Sequence, residues 1–61
     1  MKYKILLVED EMELSALMKE QLESVGFEVY QAENGREAIH LLDSMRFHAV
    51  LSDVAMPRMD G

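Results

Sequence analysis

Tyr3-Lys4-Ile5-Leu6-Leu7-Val8-Glu9-Asp10 is the stretch that decides the fold. Residues 3–8 form a near-continuous run of leucine and β-branched side chains, the pattern of a strand buried on both faces, and two acids follow it at once. From Met12 to Val25 the apolar residues Leu14, Leu17, Met18, Leu22 and Val25 fall on one helical stripe, with Glu13, Lys19, Glu20 and Glu23 mainly outside it. The spacing predicts a helix over 11–25. Asp10 and Glu13 have the spacing of a capping box at its start, and Gly26 stands where a left-handed C′ residue belongs.

Further along, residues 27–32 alternate, with Phe27, Val29 and Gln31 on one side and Glu28, Tyr30 and Ala32 on the other. This reads as an edge strand with one wetter face. Asn34-Gly35 punctuates the chain, and Glu37 three residues after Asn34 makes Asn34 the expected N-cap of a helix over 35–44. Ala38, Ile39, Leu41, Leu42 and Met45 supply its expected buried stripe. Residues 48–52 carry the short apolar run Ala49-Val50-Leu51, read as a buried strand ending at Asp53. Turn chemistry follows from Met56 to Gly61.

Strand, helix, strand, helix, strand specifies βαβ units, hence an α/β fold with a parallel sheet and right-handed crossovers. In a doubly wound sheet the first strand lies between the other two, in order 2-1-3. The C-terminal ends of strands one and three then meet at one crevice, where such folds bind ligands.

Composition narrows the function classes. Sixty-one residues, 49% hydrophobic and 30% charged, make at most one small domain. Folding a chain of this size removes about 6,000 Å² from water. At ~25 cal/mol/Å² for the apolar part this gives ~90 kcal/mol, against ~90 kcal/mol for ordering the chain. Such a balance calls for a staple, and the absence of cysteine excludes a disulfide or a thiolate metal site. Self-association or a partner segment is the expected remedy. Six basic residues against twelve acidic ones, a net charge of −6, argue against direct nucleic-acid binding. The run Ile5 to Val8 is too short for a signal peptide or a membrane span, so a cytoplasmic protein is expected.

Three acids stand at strand ends: Glu9, Asp10 and Asp53. Converging carboxylates repel unless a cation neutralises them, and a hard ion such as Mg²⁺, taking carboxylates, a carbonyl and waters, is the natural solution. Acids at strand ends also open loops and cap helices, and spacing alone does not choose between these roles.

The choice is made by resemblance. Ile5-Leu6-Leu7-Val8 running into Glu9-Asp10, the turn Ala32-Glu33-Asn34-Gly35 with Glu37-Ala38 after it, and Leu51-Ser52-Asp53-Val54-Ala55-Met56-Pro57-Arg58-Met59-Asp60-Gly61 resemble the receiver domain of two-component response regulators across the whole chain. The last stretch matches the family's Asp-x-x-Met-Pro-x-Met-Asp-Gly signature at every fixed place. The fold this implies is the βαβαβ half of a flavodoxin-like sheet, lacking the fourth and fifth strands.

The resemblance also implies that Asp53 accepts a phosphoryl group from a histidine kinase or a phosphotransfer protein. Glu9 and Asp10 would hold Mg²⁺ together with Asp53 and the backbone carbonyl of Ala55, Asp10 directly and Glu9 through water. Pro57 and Gly61 would shape the loop over 53–61. Such a domain is a phospho-acceptor rather than an enzyme. The family's later hydroxyl, aromatic and lysine residues have no counterpart here, so the expected species is an N-terminal half with impaired switching that pairs with itself through the third strand.

Soft thioethers make Met56 and Met59 packing residues rather than ligands. His40, off the buried stripe, and His48, opening a strand, read as surface or boundary residues, and Arg58 as an exposed loop charge. Two further readings stand beside the first. One is a structural half-domain that self-associates without phosphotransfer. The other is an aspartate-nucleophile phosphatase of the haloacid dehalogenase type, which wants a second acid two residues after the first, where Ala55 stands.

Overall fold

A computed structural model describes residues 2–52. In it β1 (Lys4–Val8), α1 (Met12–Ser24), β2 (Glu28–Ala32), α2 (Gly35–Ser44) and β3 (Ala49–Ser52) follow one another in the expected order. The sheet is parallel, with β1 between its neighbours in order β2-β1-β3. Lys4 pairs with Glu28 and Val8 with Ala32 on one side, while Ile5 pairs with Ala49 and Val8 with Ser52 on the other.

Side chains alternate across the pleat, and the two helices take opposite faces. Leu6, Ala32 and Ala38 form a cluster under α2, with Val8, Tyr30, Leu41 and Phe47 packed around it. Ile5, Leu7 and Val29 are buried on the α1 face, where Ser15 of α1 meets Gln31 of β2. Leu6 is 0% exposed, because a central strand is covered by a helix on each face and by a strand on each edge.

Helix ends follow local chemistry. Gly26, at φ 103°, adopts the left-handed conformation that a side chain would strain, and it turns the chain out of α1. Asn34 caps α2, its side chain accepting the Glu37 N–H at 2.9 Å, while the Glu37 carboxylate reaches back to the Glu33 N–H at 2.8 Å. No such box starts α1: its N-cap is Glu11, without a side-chain cap bond, and Glu9 takes the Glu11 N–H instead of Asp10 capping with Glu13.

The buried stripes also need correction. In α1 Ser15 is buried, Met18 and Leu22 are half-buried, and Leu14, Leu17 and Val25 are exposed. Ala38 and Leu41 carry the packing of α2, whereas Ile39 and Leu42 face outward. Both helices lie over β1 and β2, and among the described residues neither touches β3. All four residues of β3 are therefore exposed, Val50 and Leu51 included, although their apolar run reads as a buried strand. On β2, Ala32 and Tyr30 pack with Leu6, whereas Gln31 on the opposite face is exposed.

Candidate functional site

Parallel pairing of β1 with both neighbours brings three strand ends to one side of the sheet. The backbone leaves β1 at Val8, level with Ala32 of β2 and Ser52 of β3. Glu9 is held at the end of β1 by its own N–H, which donates to the Ala32 carbonyl at 3.0 Å. Its side chain turns inward and is 4% exposed. Oε2 accepts the Glu11 N–H at 3.0 Å, whereas Oε1 has no hydrogen-bond partner among the described residues. Asp10, next in the chain, is exposed.

A buried carboxylate oxygen left without a partner costs about 1–3 kcal/mol or more. Hard cations and their bound waters supply the partner such an oxygen lacks, so the donors at this strand end fit Mg²⁺. Among the described residues no third acidic or histidine side chain joins Glu9 and Asp10 in a cluster. Asp53 and Ala55, the expected further ligands, lie outside the described residues, as do Met56, Pro57, Arg58, Met59 and Gly61.

Below Glu9, between the starts of the helices, lies a cleft of about 140 Å³ lined by Glu9, Met12, Ser15, Gln31, Glu33 and Glu37. Ser15 is 3% exposed, and its Oγ accepts from Gln31 Nε2 at 2.8 Å. The sequence gives no direct sign of this pair, because a serine beside a leucine stripe reads as an outward residue. One signal is available in the alternation of β2, which puts Gln31 on the face with Val29 and so beneath α1.

At the other end of the sheet, His48 is more than a boundary residue. Its Nδ1 accepts the Lys4 N–H at 2.9 Å, its own N–H donates to the Lys4 carbonyl at 2.8 Å, and its ring meets Tyr3 edge-on. These bonds clamp the start of β3 to β1, far from the acids. His40 is exposed on α2. On β2, the Tyr30 hydroxyl donates to Glu28 Oε2; that bond, with partial burial and the Glu28 charge, raises the phenol above its ordinary pKa of 10.0. No helix among the described residues is long and apolar enough to cross a membrane.

Comparison with known proteins agrees with this architecture. The response regulator receiver domain family matches residues 5–61. The transcriptional regulatory protein CrdR of Helicobacter pylori is 47% identical over 61 residues, which are 100% of this chain and 29% of that protein. CpxR of Escherichia coli, also a transcriptional regulatory protein, is 48% identical over 58 residues, 95% of this chain and 25% of that protein. A probable transcriptional regulator, ycf29 of Pyropia yezoensis, is 43% identical over 61 residues, 100% of this chain and 28% of its own length. The chain thus spans between a quarter and three tenths of these relatives. No solved structure matches it. With a family match over nearly its whole length and a parallel β2-β1-β3 sheet, the chain belongs to the response regulator receiver domain family of two-component signalling.

Proposed function

We propose that the chain is a phospho-acceptor module in which Asp53 takes a phosphoryl group from a histidine kinase or a phosphotransfer protein in the cytoplasm. The observation that supports the reading is the buried, half-partnered carboxylate of Glu9, at the end of β1 and within the stretch the family matches. In the transfer, an Asp53 carboxylate oxygen forms a bond to phosphorus as the donor's P–N bond breaks. The electron pair stays on the leaving imidazole nitrogen, which takes up a proton.

Glu9 and Asp10 would hold Mg²⁺ with Asp53 and the carbonyl of Ala55. Bound there, the cation offsets the charge gathering on the phosphoryl oxygens. Glu9 is suited to this because burial and the Glu11 N–H fix its carboxylate before any ion arrives. The test is intact-mass analysis after incubation with a small phosphodonor. The wild-type chain gains one phosphoryl group only with Mg²⁺, and Asp53→Asn gains none. Equal labelling of the variant overturns the proposal. A folded wild-type chain that stays unlabelled favours the alternative, a self-associating structural module.

A second property rests on β3. Among the described residues β3 lies at a sheet edge and neither helix covers it, leaving Val50 and Leu51 exposed, an arrangement that recruits another strand. Two copies pairing their third strands across a two-fold axis make one continuous sheet. Light scattering at tens of micromolar is expected to return a dimer mass, reduced to the monomer by Val50→Lys. A folded wild-type monomer refutes the pairing.

A further inference from the structure

The cleft beneath Glu9 holds more unused hydrogen-bonding capacity than its few direct bonds employ. Glu9 Oε1 is buried and lacks a partner among the described residues. Ser15 Oγ, in the same cleft, accepts from Gln31 Nε2 and keeps its own proton to donate. At about 140 Å³ the cleft has room for several waters, each of which occupies roughly 30 Å³ in the liquid and needs two to four polar partners.

We propose that Ser15 and Gln31 are positioning residues for Glu9, joined to its Oε1 through an ordered water in this cleft. Gln31 fixes the Ser15 hydroxyl by its bond across the sheet–helix boundary. Ser15 donates to the water, and the water donates to one lone pair of Oε1, leaving the other for a cation-bound water. The Glu11 N–H already holds Oε2, so the water gives the carboxylate its second point of attachment and sets the plane it presents to a cation. Outer partners of this kind tune metal affinity by about 10–100-fold. The role toward the cation rests on the reading of Glu9 as a residue that holds Mg²⁺.

Two measurements on the full chain test it. In the metal-free protein, NMR cross-relaxation between water and the Gln31 side-chain amide detects a long-lived water, which Ser15→Ala removes and Ser15→Thr, retaining the hydroxyl, keeps. Mg²⁺ titration followed by NMR then shows affinity falling about tenfold in Ser15→Ala and close to the wild-type value in Ser15→Thr. Gln31→Met, at an exposed strand position, gives the same direction of change and serves if Ser15→Ala does not fold. Absence of a long-lived water in the wild type, or wild-type Mg²⁺ affinity in a folded Ser15→Ala chain, overturns the inference. A wild-type chain that takes up no Mg²⁺ overturns the cation reading itself; failure of the present inference alone leaves that uptake intact.

Discussion

Replacing Leu6 by alanine removes the most deeply buried side chain from the strand on which both halves of the core rest. Leu6 is 0% exposed and packs against Ala32 and Ala38, with Tyr30, Leu41 and Phe47 around them. The lost side chain is equivalent to about three methylenes at ~0.8 kcal/mol each. Neighbours held by a sheet and a helix close only part of the gap, so the cavity raises the cost to about 3–5 kcal/mol. A chain of 61 residues commands a total of roughly 3–9 kcal/mol at usual densities of stability. Leu6→Ala therefore lowers the melting temperature by at least about 12 °C, or abolishes the transition. Leu42, on α2 but 46% exposed, is the comparison: Leu42→Ala costs about 1 kcal/mol or less. Thermal unfolding by circular dichroism at matched chain concentration separates the two. Equal shifts for both variants refute the assignment of the core to the β1 and α2 contact.

Other expectations concern single bonds. Asn34→Ala removes the acceptor for the Glu37 N–H and should cost about 0.5–2 kcal/mol in urea unfolding, whereas Asn34→Asp, which keeps an acceptor, should cost little. Tyr30 has its phenol raised above 10.0 by the bond to Glu28, so the folded chain binds its proton more tightly than the unfolded chain. That contribution is fully present below pH 10.0 and is lost as pH rises through the folded value; Tyr30→Phe should flatten this part of the alkaline stability curve, as read by pH-dependent melts.

Much of the fold was legible because it depends on periodicity and punctuation. The run Ile5–Val8, the Asn34 cap with Glu37 and the turn at Gly26 are local signals that give the element order, and the flavodoxin-like topology expected for it has the observed order β2-β1-β3. Burial was less legible, because it depends on what covers each element. Val50 and Leu51 are apolar yet exposed, since both helices lie over β1 and β2. Leu14 and Leu17 widen the apolar stripe of α1 beyond the part the sheet covers, and Ser15 takes a buried place that hydrophobic spacing gives to a leucine. At the site, the acids after β1 were legible as a pair. Their unlike environments, Glu9 buried and Asp10 exposed, come from the turn into α1, where Glu9 rather than Asp10 takes up the Glu11 N–H.

On the proposed reading, Asp53 is the phosphoryl acceptor of a site completed by Glu9 and Asp10. Its most direct test is peptide mapping of the chain after reaction with a small phosphodonor, with and without Mg²⁺. The expected result is an acid-stable, base-labile acyl phosphate on Asp53 alone, formed only when Mg²⁺ is present and much reduced by Glu9→Gln together with Asp10→Asn. A phosphoryl group found on His40 or His48, or on Asp53 regardless of Mg²⁺ and of the two strand-end acids, would contradict it.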